Sequence, residues 1–196
     1  MPGEPPRELR DVPESWPVVG SEDLYRTEWV IALRLDELHA PDDKGHTFQR
    51  LALEHPGAVI VLAVDDQRRA YCLWQYRHPA RHRFVELPAG LLDADGESPE
   101  GTARRELREE AGLEADEWTS LGSTWSSPGI SSEVMHFFLA RGLRRVDADY
   151  ERTHEEADMS GDWVPVDDLR AAVLDGRVGD GPLVQALLLA EAKGLL

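Results

Sequence analysis

Three glutamates, Glu106, Glu109 and Glu110, stand within five residues of one another in a stretch that reads GLLDADGESPEGTARRELREEAGL from Gly90 to Leu113. On a helix, residues four apart are neighbours, so Glu106 and Glu110 form one row and Glu109 lies one step further round. Ala103, Leu107 and Ala111 form the adjoining row, which is apolar and must face a core. Arg104, Arg105 and Arg108 fall on the other side. Like charges at these spacings destabilise a helix by roughly 0.2–0.5 kcal/mol per pair, and holding carboxylates at the edge of a buried face costs more. A divalent cation relieves both costs, because Mg²⁺ is bound by one or two carboxylates together with waters and substrate phosphates. The competing reading is an ordinary charged helix face turned to water.

The elements that must position these groups are legible. Ser98 can cap a helix, Pro99 suits its first turn, and Gly112 sits where a helix-ending glycine belongs. The helix is therefore expected over 98–111. Gly90 lets the backbone approach closely as a strand leaves its sheet. Pro88 and Gly90 flank Ala89, whose carbonyl could turn toward a cation. Residues 58–64 are continuously apolar, the mark of a central strand buried on both faces. Residues 65–69 turn it, and 70–76 are expected to return as its hairpin partner. Further strands are expected at 84–87, 117–125, 134–141 and 163–166, and helices near 166–174 and 182–193. The last helix is Leu/Ala-rich and should pack on the sheet. Before His55-Pro56-Gly57, strand-like runs at 24–35 and 47–53 make a small antiparallel unit. The division expected is a Pro-rich flexible arm (1–18), an N-terminal β domain (19–55) and a main domain (56–196). The fold class is α/β (α+β), a mixed β-sheet sandwich flanked by helices.

Composition narrows the functions. The 21 basic and 38 acidic residues give a formal net charge of −17. Such a surface repels nucleic-acid backbones and anionic membranes. It does not exclude a small phosphate-bearing substrate, since a bound cation inverts the local field. The single cysteine, Cys72, rules out an internal disulfide or a multi-cysteine zinc site, and reads as a small buried residue. The first 20 residues carry five prolines and no apolar segment of the signal-peptide kind. No apolar run reaches the roughly 20 residues needed to span a bilayer. A cytoplasmic protein with neither membrane nor nucleic acid among its partners is expected. His78, His82, His136 and His154 show no metal-ligand spacing.

The same residues carry a resemblance. Glu97, seven residues, Arg105-Glu106-Leu107, one residue, Glu109-Glu110, one residue and Gly112-Leu113 resemble the Nudix box, with six residues between Gly90 and Glu97 where the usual form has five. The stretch Glu86-Leu87-Pro88-Ala89-Gly90, the triplet Gln75-Tyr76-Arg77, and Ser127-Pro128-Gly129 followed by Glu133 are similar to motifs of the family's ADP-ribose pyrophosphatases, especially actinobacterial ones. The run from His154 to Met159 resembles their late acidic loop. The resemblance spans roughly residues 20–190 and implies the Nudix fold. It also implies a homodimer built through the N-terminal β domain, and Mg²⁺-dependent hydrolysis of ADP-ribose to AMP and ribose 5-phosphate, with Mn²⁺ as a substitute.

The resemblance also implies roles. Glu106, Glu110 and the Ala89 carbonyl ligate the metal, and Glu109 joins them or bridges two ions. Arg105 orients the glutamates, and Glu97 braces the Gly90 loop. Glu155 or Glu156, on a loop able to act as a lid, is the general base; the alternative for this pair is an acidic surface loop. Arg77 clamps the diphosphate, because a guanidinium fork matches phosphate oxygens. Glu133 positions Arg77 or contacts a second metal. Trp29 and Tyr25 either stack on adenine or serve a core or dimer interface. Two alternatives stay open: another nucleoside diphosphate compound as substrate, such as a nucleotide sugar or dinucleoside polyphosphate, and a catalytically silent, nucleotide-sensing domain.

Overall fold

The computed structural model describes residues 9–27, 31–41, 45–147 and 158–196. Strands β1 (Val18–Arg26), β2 (Ala32–His39) and β3 (Thr47–Glu54) form an antiparallel sheet in that order. The expected run at 24–35 is thus the end of one strand and the start of the next, with Tyr25 opposite Leu33 and Arg26 opposite Ala32. The apolar residues from Trp29 to Leu33 follow one another without a glycine, proline or other turn signal, so pattern alone reads 24–35 as one run.

The main body follows. Strand β4 (Ala58–Ala63) lies between β7 (Ala89–Leu91) and β9 (Val134–Arg145), and β8 (Leu113–Trp125) closes that sheet in the order β7-β4-β9-β8. The β4–β9 pair is parallel and the other two are antiparallel. A second sheet has the order β10-β5-β6, from β10 (Ser160–Pro165), β5 (Arg69–Arg77) and β6 (His82–Glu86). The expected β4–β5 hairpin is therefore not formed. A single bridge, Val64 to Ala70, joins the two runs. Asp65 accepts from the backbone of Gln67 and Arg69, and the chain crosses there from one sheet to the other. A sharp turn between two apolar runs looks the same in sequence whether it closes a hairpin or a sandwich corner.

Helix α1 (Pro99–Ala111) covers one side of β4, and α3 (Gly181–Ala192) the other, with α2 (Val166–Leu174) beside β5 and β10. Val59, Val61 and Ala63 join Ala103 and Leu107 in one core, while Ile60 and Leu62 join Phe137, Leu183 and Leu187 in the second. This is why 58–64 is apolar without interruption: each side chain, whichever way it points, meets a helix. Burial of each large aliphatic side chain contributes roughly 1.5–3 kcal/mol. Cys72 is buried in the strand as expected, and burial pushes its thiol up to about 12. No helix among the described residues is long and apolar enough to cross a membrane.

Candidate active site

Helix α1 begins and ends as its residues dictate. The Ser98 hydroxyl accepts from the Gly101 amide at 3.1 Å, and Gly112 takes a left-handed φ of 62° that ends the helix. Its apolar row drives into the core: Ala103 and Leu107 are fully buried. That rotation forces Glu106 and Glu110 inward, against β7. The Glu110 carboxylate accepts from the Ala89 amide at 2.9 Å.

Gly90 is required by space. A Cβ there would lie 2.1 Å from the Glu106 carboxylate. Its backbone is not in the left-handed region, so contact, not conformation, selects glycine. Burial pushes the Glu106 carboxyl up to about 7, with Glu109 adding to the rise and Arg105 opposing it.

Arg105 departs from the expected arrangement. It does not lie across the helix from the glutamates but among them, 2.7 Å from Glu106 and 3.2 Å from Glu109. It reaches back to Glu97 at 3.4 Å. An arginine stem can lie along the helix surface and deliver its head to the neighbouring row. Glu97 also accepts from the Thr102 hydroxyl at 3.0 Å, so its carboxylate is tied to two side chains of α1. Among the described residues no three carboxylates converge as a cation cage; Arg105 stands between them. The donor set is nonetheless all oxygen, which suits Mg²⁺ or Mn²⁺. A carboxylate seated against Gly90 in poor contact with water is one that a dication would stabilise. Glu106, Glu109 and Glu110 would hold such an ion, with the Ala89 carbonyl as the implied backbone donor.

These groups line a cleft of about 940 Å³ together with Arg77, Glu133 and Asp93. Arg77 forks onto the buried Glu86, with Nε–Oε1 at 2.9 Å and an Nη2–Oε2 contact at 2.7 Å. Its guanidinium is therefore held in place on the lining of the cleft. Glu133 sits at the end of a loop tied to β3. The Ser132 amide donates to the Leu53 carbonyl at 3.0 Å, and the Ser132 hydroxyl accepts from the His55 amide at 2.9 Å. The Gly57 amide donates to His55 Nδ1, which leaves Nε2 facing Glu133 Oε1 at 3.8 Å.

The structure thus brings together Arg77, Ala89, Gly90, Arg105, Glu106, Glu109, Glu110 and Glu133. Glu97 stands behind them. Tyr25 is 66% exposed on β1 and is no core residue of this chain. Trp29, His154, Glu155 and Glu156 lie outside the described residues. Sequence reasoning did not single out Phe84, Asp93, His55 or Asp180. Asp180 had a signal: Asp-Gly-Pro spells a helix cap followed by an early proline, and Asp180 does accept from the Leu183 amide at 2.9 Å.

Comparisons with known proteins bear on the site. Residues 54–187 match the NUDIX domain family. The chain is 41% identical over 174 residues to a Mycobacterium tuberculosis (strain ATCC 25618 / H37Rv) protein named ADP-ribose pyrophosphatase, covering 89% of this chain and 82% of that one. It is 40% identical over 116 residues to the methanol dehydrogenase activator of Bacillus methanolicus, covering 59% of this chain and 61% of the relative. A crystal structure titled ADP compounds hydrolase superposes with a TM-score of 0.76 at 19% identity, over 95% of this chain and all of that one. The fold, the glutamate-bearing helix and these matches agree: the chain belongs to the Nudix family, as a hydrolase of the ADP-ribose pyrophosphatase type.

Proposed function

We propose that this hydrolase cleaves the pyrophosphate bond of ADP-ribose with water, giving AMP and ribose 5-phosphate, and depends on Mg²⁺, which Mn²⁺ can replace. The observation that carries the reading is the carboxylate pair Glu106 and Glu110, seated against Gly90 and Ala89 in a cleft that Arg77 also lines. A bound dication supplies charge neutralisation at the phosphate oxygens and acidifies a water. Glu106 and Glu110 hold the charge that attracts it, and Glu109 adds to that set. Arg105 and Glu97 keep the glutamates apart in their rotamers. Arg77, pre-oriented by the Glu86 carboxylate that its Nε and Nη2 grip, sets its positive charge beside the diphosphate. Glu133 lines the same cleft. Glu155 or Glu156 takes the proton from the attacking water. The relatives named for ADP-ribose support this choice over other nucleoside diphosphate compounds.

The protein acts as a homodimer in the cytoplasm. All nine residues of β1 are exposed, Val18, Val19, Leu24 and Tyr25 among them. A strand that exposes four large apolar side chains invites a cover, and a second copy of the N-terminal unit (19–55) is the occupant. Trp29 lies in that unit and stacks on the base.

The test is phosphorus NMR of ADP-ribose with the protein and Mg²⁺. Stoichiometric AMP and ribose 5-phosphate are expected, with at least a hundredfold loss in Glu110→Gln. An unchanged spectrum for ADP-ribose, while GDP-mannose or a dinucleoside polyphosphate is consumed, moves the reading to that compound. No turnover of any of them identifies a silent, nucleotide-sensing domain.

A further inference from the structure

The chain that leaves the N-terminal sheet is stitched to the loop that carries Glu133. At the end of β3 the Leu53 amide donates to the Ile130 carbonyl at 2.7 Å, and the Ser132 amide returns to the Leu53 carbonyl. The Ser132 hydroxyl takes the His55 amide. Beyond Glu133, Gly57 lies close to the Val134 carbonyl, which a Cβ on Gly57 would meet at 3.0 Å. Residues 53–57 therefore hold the backbone both before and after Glu133. The Glu133 side chain lines the cleft. Among the described residues no hydrogen bond holds its carboxylate, and its one ion-pair contact is His55 Nε2 at 3.8 Å.

The His55 ring is not free to offer either edge. The Gly57 amide donates to Nδ1 at 3.1 Å, so that nitrogen carries no proton. A neutral imidazole then bears its proton on Nε2, the nitrogen turned toward Glu133. The ring is 11% exposed, so little water competes for that donor. The separation is longer than a hydrogen bond, but the N–H dipole still attracts the carboxylate across it. We propose that His55 is a positioning residue for the hydrolysis: its Nε2–H fixes the direction of the Glu133 carboxylate in the cleft. A carboxylate works at one place only if its neighbours lock its rotamer. His55 directly follows the last residue of β3, so the N-terminal sheet takes part in shaping the site of its own chain. The competing role is purely local: His55 caps the turn at Gly57 and does nothing for Glu133.

This inference rests on the reading of the cleft as a pyrophosphate-hydrolysing site, and its test separates the two. His55→Asn keeps an acceptor where Nδ1 stands, two residues before the Gly57 amide, and removes Nε2. His55→Gln keeps a donor at the reach of Nε2 and gives up the Nδ1 acceptor. On ADP-ribose with Mg²⁺, His55→Asn should lose tenfold or more in kcat/KM, and His55→Gln less than threefold. Glu133→Gln should also lose tenfold or more, and adding His55→Asn to it should cost under twofold further. If His55→Asn does not fold cooperatively, His55→Phe, which keeps a ring and has neither nitrogen, replaces it in the same cycle. The reverse order of Asn and Gln is the mark of turn capping and overturns the positioning role. So do losses that multiply in the double variant, or a Glu133→Gln enzyme as active as the parent. Long-range nitrogen-15 NMR of the histidine rings gives a readout independent of turnover. His55 should carry its proton on Nε2, with a resonance that moves in Glu133→Gln; a proton on Nδ1, or no movement, overturns the contact. A parent that hydrolyses no nucleoside diphosphate compound overturns the underlying reading instead, and the NMR result then decides the contact alone.

Discussion

Glu106 is the residue on which the local chemistry turns. Its carboxyl sits where Gly90 leaves room for it, and burial raises it to about 7 from an ordinary 4.5. A carboxyl raised in the folded state binds its proton more tightly there than in the unfolded chain. The resulting stabilisation is complete below pH 4.5 and is lost as pH rises through 7. Without metal, Glu106→Gln should therefore exceed the parent in stability at pH 8, by on the order of 1–3 kcal/mol, and match it near pH 4. Urea denaturation in EDTA measures this, and a difference that ignores pH contradicts it. Gly90→Ala probes the same contact from the other side. The colliding atoms are the end of a flexible side chain, so the fold should survive with a loss under about 1 kcal/mol. The carboxylate is displaced, and turnover should fall at least a hundredfold; near-normal turnover would show that the close approach is incidental. The crowding of Glu106, Glu109 and Glu110 was legible from spacing. The place of Arg105 among them was not, because a long side chain can cross from its own row to the next.

At the scale of elements, the helix that carries the site is spelled out almost completely in its own residues. Ser98, Pro99 and Gly112 mark its ends, and the Ala103–Leu107 row sets its rotation. Ser98→Ala should cost about 1 kcal/mol and lower activity less than tenfold, since the glutamates lie beyond the first turns; thermal denaturation and initial rates check both. The β4–β5 connection was illegible for a reason of the same kind. Nothing in residues 65–69 states which sheet receives the next strand, and only the long-range pairing of β4 with β9 decides it. The box glutamates, by contrast, share one helix and need no tertiary information to be found together.

The whole molecule adds constraints that no element carries. Sedimentation velocity should give about twice the 22.0 kDa chain mass, and Leu24→Lys on exposed β1 should shift the protein toward monomer; a parent that sediments as a monomer at micromolar concentration contradicts the dimer. The net charge of −17 sets the harder condition. An acidic protein that presents carboxylates to a diphosphate repels its own substrate unless cations intervene. Binding of a non-hydrolysable ADP-ribose analogue, measured calorimetrically in EDTA and then in excess Mg²⁺, tests that dependence directly. The account predicts at least tenfold tighter binding with Mg²⁺ and no such gain in Glu110→Gln. Equal affinity in EDTA and Mg²⁺ would contradict it.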